Sequence, residues 1–161
     1  MTRISPAPEL SSDVVVLGGG LSGSATALEL ARLGATVTVL ERAHQTVTRI
    51  GEVLRPEARV WLDRLGLWNR FADDRHLAVW GHSSAWGSPI IRRFPFLLSP
   101  YGMGWHIDRS RFDAMLVLAA EEAGAVILRG TRVVAVDPPT GGDAWRLAIA
   151  GELGRLRLRA Q

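Results

Sequence analysis

Residues Asp13–Leu17 read DVVVL, a short apolar run rich in β-branched residues. A run without polar alternation is what a parallel strand covered on both faces requires, so it predicts a buried strand. GGGLSG follows. SATALELARLG then sets Ala and Leu at helical spacing, with Gly34 as the stop. Ala35–Leu40 (ATVTVL) is a second strand of the buried type and ends at Glu41. These pieces form a strand–helix–strand unit of about thirty residues, and such a unit crosses over right-handed.

The pattern then loosens. His44–Arg49 is polar, and Pro56–Leu65 predicts a helix with Pro near its first position and Gly66 at its end. From Ala78 to Trp105 the chain is aromatic and punctuated by glycine, with Pro89, Pro95 and Pro100 among the apolar residues. Short strands and loops outside the parallel sheet are expected there. Asp108 opens a helix over Arg109–Ala123 with an apolar stripe of Phe112, Met115, Leu116 and Ala119, capped by Gly124. Four strands are expected at Ala125–Leu128, Arg132–Val136, Trp145–Ala150 and Leu153–Ala160. Pro138–Asp143 and Gly151–Glu152 have the residues of tight connections. Residues 1–12 carry no apolar segment and read as a disordered lead-in rather than a signal peptide.

Composition narrows the chemistry. The 161 residues amount to one domain, with 47% hydrophobic and 22% charged residues. The absence of cysteine excludes disulfides, thiolate metal sites and a Cys nucleophile in these residues. The four histidines stand far apart with no ligand spacing, so no metal is expected. Every one of the 19 basic residues is Arg. The isoelectric point near 10.8 therefore reflects the high pKa of arginine, because the net charge is only +3. No nucleic-acid partner is expected from it. No apolar run is long enough to span a bilayer, so a cytoplasmic protein without a membrane partner is expected.

Gly18, Gly20 and Gly23 make a GxGxxG between a strand and a helix, and Glu41 lies 18 residues beyond Gly23. Each glycine has a task in dinucleotide binding. The first permits the tight turn, the second lets a pyrophosphate approach the backbone, and the third lets helix and strand pack closely. The helix N-terminus offers unpaired N–H groups to phosphate. Glu41 can accept hydrogen bonds from a ribose and disfavours a 2′-phosphate, which argues against NADP at this position. FAD and NAD both remain open on these grounds.

Other candidates are weaker. Arg49 and Arg55 flank GEVL and suit phosphate or flavin contacts, or plain solvation. Glu52 either lines a site or opens the next segment. Trp61 and Trp68 are expected in the core. Trp80, Trp86 and Trp105 are either core residues or a cavity wall. His82 and His106 are potential bases without an identifiable carboxylate partner. Asp108 reads as a helix N-cap. No catalytic acid or base is assigned.

DVVVLGGGLSGSATALELARLGATVTVLER resembles the amino-terminal unit of FAD-dependent oxidoreductases of the glutathione-reductase-like class. RIGEVLRPEARVWLDRLGLW and WHIDRSRFDAMLVLAAEEAGA resemble the group-A flavin monooxygenases and their flavin-dependent halogenase relatives. SPYGMGWHIDRSRFDAML is similar to a narrower branch that modifies residues of partner enzymes during quinone-cofactor maturation. The resemblance implies an α/β Rossmann-like FAD/NAD(P)-binding fold, a parallel sheet plus a β-meander, over residues 13–161. About 78–107 would be an insertion on the substrate side.

The resemblance also implies FAD as cofactor, with NAD(P)H as a possible electron donor. Gly18, Gly20, Gly23 and Glu41 would hold its ADP half. Arg42, Arg49 and Arg109 would lie near it, and the backbone of Val133–Val134 would pass the adenine. The activity implied is hydroxylation of a small-molecule or protein-bound aromatic substrate by reduced flavin and O2. Halogenation is disfavoured, because the halogenases use a lysine and this sequence has none. The family continues into a further strand, a substrate domain and a second flavin motif. A truncated amino-terminal portion with a missing carboxyl-terminal half is therefore expected. Two alternatives stand beside this reading: an NAD-linked dehydrogenase on the same fold, and a non-catalytic nucleotide-binding remnant with an unpaired edge at Leu153–Ala160.

Overall fold

The computed structural model describes residues 9–44, 51–140, 144–151 and 154–160. β1 (Glu9–Ser12), β2 (Val14–Leu17), α1 (Leu21–Arg32) and β3 (Val37–Leu40) come first. β4 (Glu52–Leu54), α2 (Ala58–Arg64), α3 (Trp68–Asp73), β5 (Leu77–Val79), β6 (Gly81–Ser84), β7 (Arg92–Pro95) and β8 (Gly104–Ile107) follow. α4 (Arg109–Glu122), β9 (Val126–Leu128), β10 (Arg132–Asp137), β11 (Trp145–Gly151) and β12 (Gly154–Ala160) come last. The chain groups into two compact units, Met1–Val47 with Leu116–Gln161, and Thr48–Met115.

The first unit holds a parallel sheet in the order β2-β3-β9, the arrangement the strand–helix–strand pattern requires. β3 is buried along its whole length, as its apolar sequence demands. Its start is clasped to β2: the Thr36 N–H and hydroxyl both donate to Asp13 Oδ2 at 2.7 Å, and the Asp13 N–H donates to Thr36 Oγ1. A second sheet runs β1-β12-β11-β10, antiparallel except for the β1–β12 pair. Leu147, Ile149 and Leu158 from this sheet bury against Leu40, with Val15, Leu128 and Val133 around them. Each such side chain contributes about 1.5–3 kcal/mol when fully removed from water.

Two expectations are corrected here. Glu9–Ser12, placed in the disordered lead-in, form β1 and pair in parallel with Arg157–Ala160. The segment ELSS has no apolar run to announce a strand. It forms one because the backbone of β12 offers it a free row of donors and acceptors. Ser12 closes the join, its hydroxyl 2.6 Å from that of Thr38. Consequently β12 is not an open edge, since β1 and β11 cover both its sides.

The second unit contains the antiparallel sheet β4-β8-β5 and the hairpin β6-β7. Its core is aromatic. Phe71 meets Trp105 and Phe112 edge-on, with ring centroids 5.3 and 5.7 Å apart. Trp68 packs on the same cluster, 5.5 Å from Trp105. α3, which carries both Trp68 and Phe71, is an addition to the expected elements; at six residues it is too short to show a helical period. Trp61 departs from the expected core position and is 60% exposed, under the guanidinium of Arg64. α4 starts as expected: Asp108 Oδ1 accepts the N–H groups of Ser110 and Arg111, the bonding of an N-cap.

Candidate functional site

The turn between β2 and α1 is built by its glycines. Gly18 has a φ of +101°, a conformation that side chains rarely adopt, and its N–H donates to Leu40 O at 2.9 Å. A Cβ on Gly23 would stand 1.9 Å from the carbonyl oxygen of Gly18, so the helix can approach the strand only without a side chain there. Ser24, fully buried, donates its hydroxyl to Gly19 O at 3.0 Å and locks the turn from inside. Gly20 is the N-cap of α1 and provides no side-chain cap, and the first turn carries no acidic residue. The first N–H groups of α1 are thereby presented to an anion, with the positive end of the helix dipole behind them.

Glu41 completes the cradle. Its carboxylate accepts the Gly19 N–H through Oε2 at 2.7 Å and the Ala43 N–H through Oε1 at 2.8 Å. Its own backbone is pinned between Leu128 O, to which it donates, and the Thr131 N–H, which it accepts. An ionised carboxylate has about four acceptor positions, so two hydrogen bonds leave capacity for ribose hydroxyls. This donor set fits a dinucleotide: a side-chain-free turn for the pyrophosphate and a fixed acceptor for the ribose. Arg42 lies exposed beside it. Arg49 lies outside the described residues.

Val134 stands in the same unit, on β10. The pairing with β11 shifts between Val133 and Ala135, so Val134 is a bulge residue outside the regular ladder. No residue pattern announces such a bulge.

Arg109 belongs to the second unit and is buried, with 9% of its side chain exposed. Its guanidinium donates to both oxygens of Asp113, one turn on, at 3.2 and 3.3 Å. It also pairs with Glu52 on β4. Hydrogen bonding to Asp113, opposed by burial and aided by the charge of Glu52, raises its pKa above the ordinary arginine value. In the sequence Asp113 carries one signal of this role, its i,i+4 spacing from Arg109.

The remaining candidates do not gather around a reacting centre. His82 is stacked on Phe94 at 4.8 Å, and His106 is exposed on β8. Trp80 and Trp86 are exposed, whereas Trp105 is core. Arg55 pairs with Glu57 at the surface. Among the described residues no group of three or more His, Cys, Asp or Glu side chains could hold a metal, and no helix is long and apolar enough to cross a membrane.

A family model described as "FAD binding domain" matches residues 11–154. The putative FAD-dependent oxidoreductase LodB of Marinomonas mediterranea is 32% identical over 120 residues, covering 73% of this chain and 32% of that protein. The solved structure of the myxobacterial chondrochloren halogenase CndH, an FAD-dependent halogenase, superposes with a TM-score of 0.81 at 29% identity. It covers 94% of this chain and 36% of that one. OxyS anhydrotetracycline hydroxylase from Streptomyces rimosus shares the fold, with a TM-score of 0.80 at 24% identity over 94% of this chain and 30% of its own. The chain thus spans about a third of each of these proteins.

Proposed function

We propose that this chain, which belongs to the FAD-binding domain family, supplies the FAD-holding part of an oxidoreductase. That enzyme would hydroxylate an aromatic substrate, free or protein-bound, with electrons from NAD(P)H. The observation that carries the reading is the turn Gly18–Gly23. Its geometry leaves no room for a side chain at Gly23, and it sits beside a carboxylate already fixed at Glu41. The family decides between the two cofactors left open by the sequence in favour of FAD.

FAD, when bound, supplies the redox chemistry and the reaction with O2. The chain supplies position and charge. The N–H groups of Leu21, Ser22 and Gly23 neutralise the pyrophosphate, and Glu41 fixes the ribose. The bulged backbone at Val134 is available to the adenine edge. Arg42 supplies positive charge near the phosphates. Arg109, held by Asp113 and Glu52, is a cation ordered before binding, so a flavin contact made by it would need no further ordering. Hydroxylation is the reading preferred to halogenation, since these residues contain no lysine.

The test is capture of FAD by the purified chain. FAD is added, free FAD is removed on a desalting column, and a spectrum is recorded. Bands near about 370 and 450 nm, retained at close to one FAD per chain, are expected of the oxidised bound cofactor. A folded protein that elutes colourless overturns the reading.

A further inference from the structure

We propose that the second unit binds a small flat aromatic carboxylate in a cavity of about 290 Å³ bounded by Trp68, Phe71, Trp105, Arg59, Arg75 and His76. All six residues belong to the second unit, Thr48–Met115. A cavity of about 150 Å³ accepts benzene, so this one has room for one or two rings.

The wall is aromatic on one side and cationic on the other. Trp68 and Trp105 meet at 65° with centroids 5.5 Å apart, and Phe71 stands at 89° to Trp105. The guanidinium carbon of Arg59 lies 4.4 Å over the Trp68 ring, while its Nε pairs with Asp63 at 3.6 Å on the exposed side. A cation is thus held in place on one of the rings that bound the cavity.

Arg75 is the second cation, and its backbone is unusual. Its φ of +51° is the single positive value among the described non-glycine residues. Strained conformations of this kind persist where the surrounding structure imposes them, and ligand clamps are a common setting. Arg75 makes no ion pair among the described residues. From Arg75 to Ile107 the sequence contains no Asp or Glu, so the carboxylates near the cavity come from outside that run: Asp63, Asp74 and Asp108.

His76 adds a polar group to the wall. Only 1% of its side chain is exposed. Nδ1 accepts the N–H of Asp108 at 3.2 Å, which leaves the proton of the neutral ring on Nε2. Nε2 lies 3.9 Å from Asp74 Oδ2 and has no hydrogen-bond partner. Burial lowers the His76 pKa, against the charges of Asp74 and Asp108 and with that of Arg111, so the ring is a neutral donor near pH 7. Aromatic faces, two guanidinium groups and an N–H donor match a ring that bears a carboxylate. An inorganic anion would leave the rings unused, and a cation would meet two arginines.

Benzoate titrated into the full chain tests this, with benzamide as its uncharged counterpart. Binding is read from the indole N–H resonances, assigned with Trp68→Phe and Trp105→Phe. Saturable shifts of both resonances with benzoate are expected, with benzamide at least fivefold weaker. Arg75→Gly separates clamp from scaffold: glycine suits a φ of +51°, so the melting temperature should hold or rise while benzoate affinity falls at least fivefold. Arg75→Gln, which removes the charge, and His76→Phe, which removes the N–H donor, should also weaken benzoate. The absence of a saturable shift overturns the proposal. Equal binding of benzamide, or undiminished binding by Arg75→Gly and Arg75→Gln, overturns it too and leaves an apolar crevice.

Discussion

The carboxylate of Glu41 accepts the N–H of Gly19 at 2.7 Å, so the acidic end of one strand organises the glycine turn that follows its neighbour. The usual account of such an acidic residue is contact with the ribose. Here it also holds the phosphate turn in shape before any cofactor arrives. Glu41→Gln keeps one acceptor but cannot accept both backbone N–H groups. FAD affinity is expected to fall on the order of tenfold, corresponding to about 1.4 kcal/mol, with little change in secondary structure. Fluorescence quenching of FAD on titration measures it. Unchanged affinity would show that Glu41 neither fixes the ribose nor supports the turn.

Gly23→Ala places a Cβ 1.9 Å from the Gly18 carbonyl oxygen, and that obstacle is backbone. α1 must then move away from β2. Overpacking of this kind costs about 1–3 kcal/mol. The variant should melt several degrees below the parent and elute colourless from the desalting column. Ser24→Ala removes only the buried hydroxyl bond to Gly19 and should cost about 1 kcal/mol while retaining FAD.

Arg109 and Asp113 form a buried pair, and that geometry makes single and double substitutions differ. Arg109→Met strands the Asp113 carboxylate in the core, a change worth about 3–5 kcal/mol. Arg109→Met/Asp113→Leu removes both charges and should recover most of the loss. Thermal unfolding of the parent, of Arg109→Met and Asp113→Leu singly, and of the double variant gives the coupling between the two sites. Additive losses would mean that the pair is not a unit.

How far the sequence discloses this molecule depends on what each element needs. β2, α1, β3, α4 and the strands from β9 to β12 were legible, because a continuous apolar run or a 3.6-residue stripe bounded by glycine leaves little choice of structure. β1 was not, because Glu9–Ser12 borrow their order from β12 through backbone bonds that carry no residue preference. α3 is too short for periodicity. The cradle was legible in outline from three glycines and one acid, whereas the clamp of Glu41 on Gly19 and the bulge at Val134 depend on register. The pairing of Arg109 with Glu52 joins residues 57 apart in sequence and depends on the packing of β4 against the start of α4. Those are tertiary facts, invisible to any local window.

His76 predicts a pH dependence of stability. Burial holds its folded pKa below the ordinary value, so the unfolded chain binds the proton more readily. Stability therefore falls as pH drops through about 6.5 and flattens once the folded ring also protonates. Above that range the ring is neutral in both states and contributes no slope. Between pH 7.5 and 5.5 the parent should lose more melting temperature than His76→Phe, which carries no titrating group. Equal losses would assign the dependence to other groups.

The hairpin β6-β7 exposes apolar surface that the described residues do not cover. Trp86 is 94% exposed, and Ile90, Ile91, Leu97 and Leu98 are exposed nearby. Contiguous apolar surface of this kind is a common site of association. Two-stranded hairpins also leave both outer edges open to another strand. Trp86 packs against too little to support the fold, so Trp86→Ser should leave the unfolding free energy within about 0.5 kcal/mol of the parent. It should nevertheless reduce self-association in light scattering and lower the binding of a hydrophobic dye. Arg92 and Arg93 at the start of β7 put positive charge on both faces of the hairpin, so its association with a second copy should strengthen as salt screens them. Association that weakens with salt, or that ignores Trp86→Ser, would place the contact elsewhere.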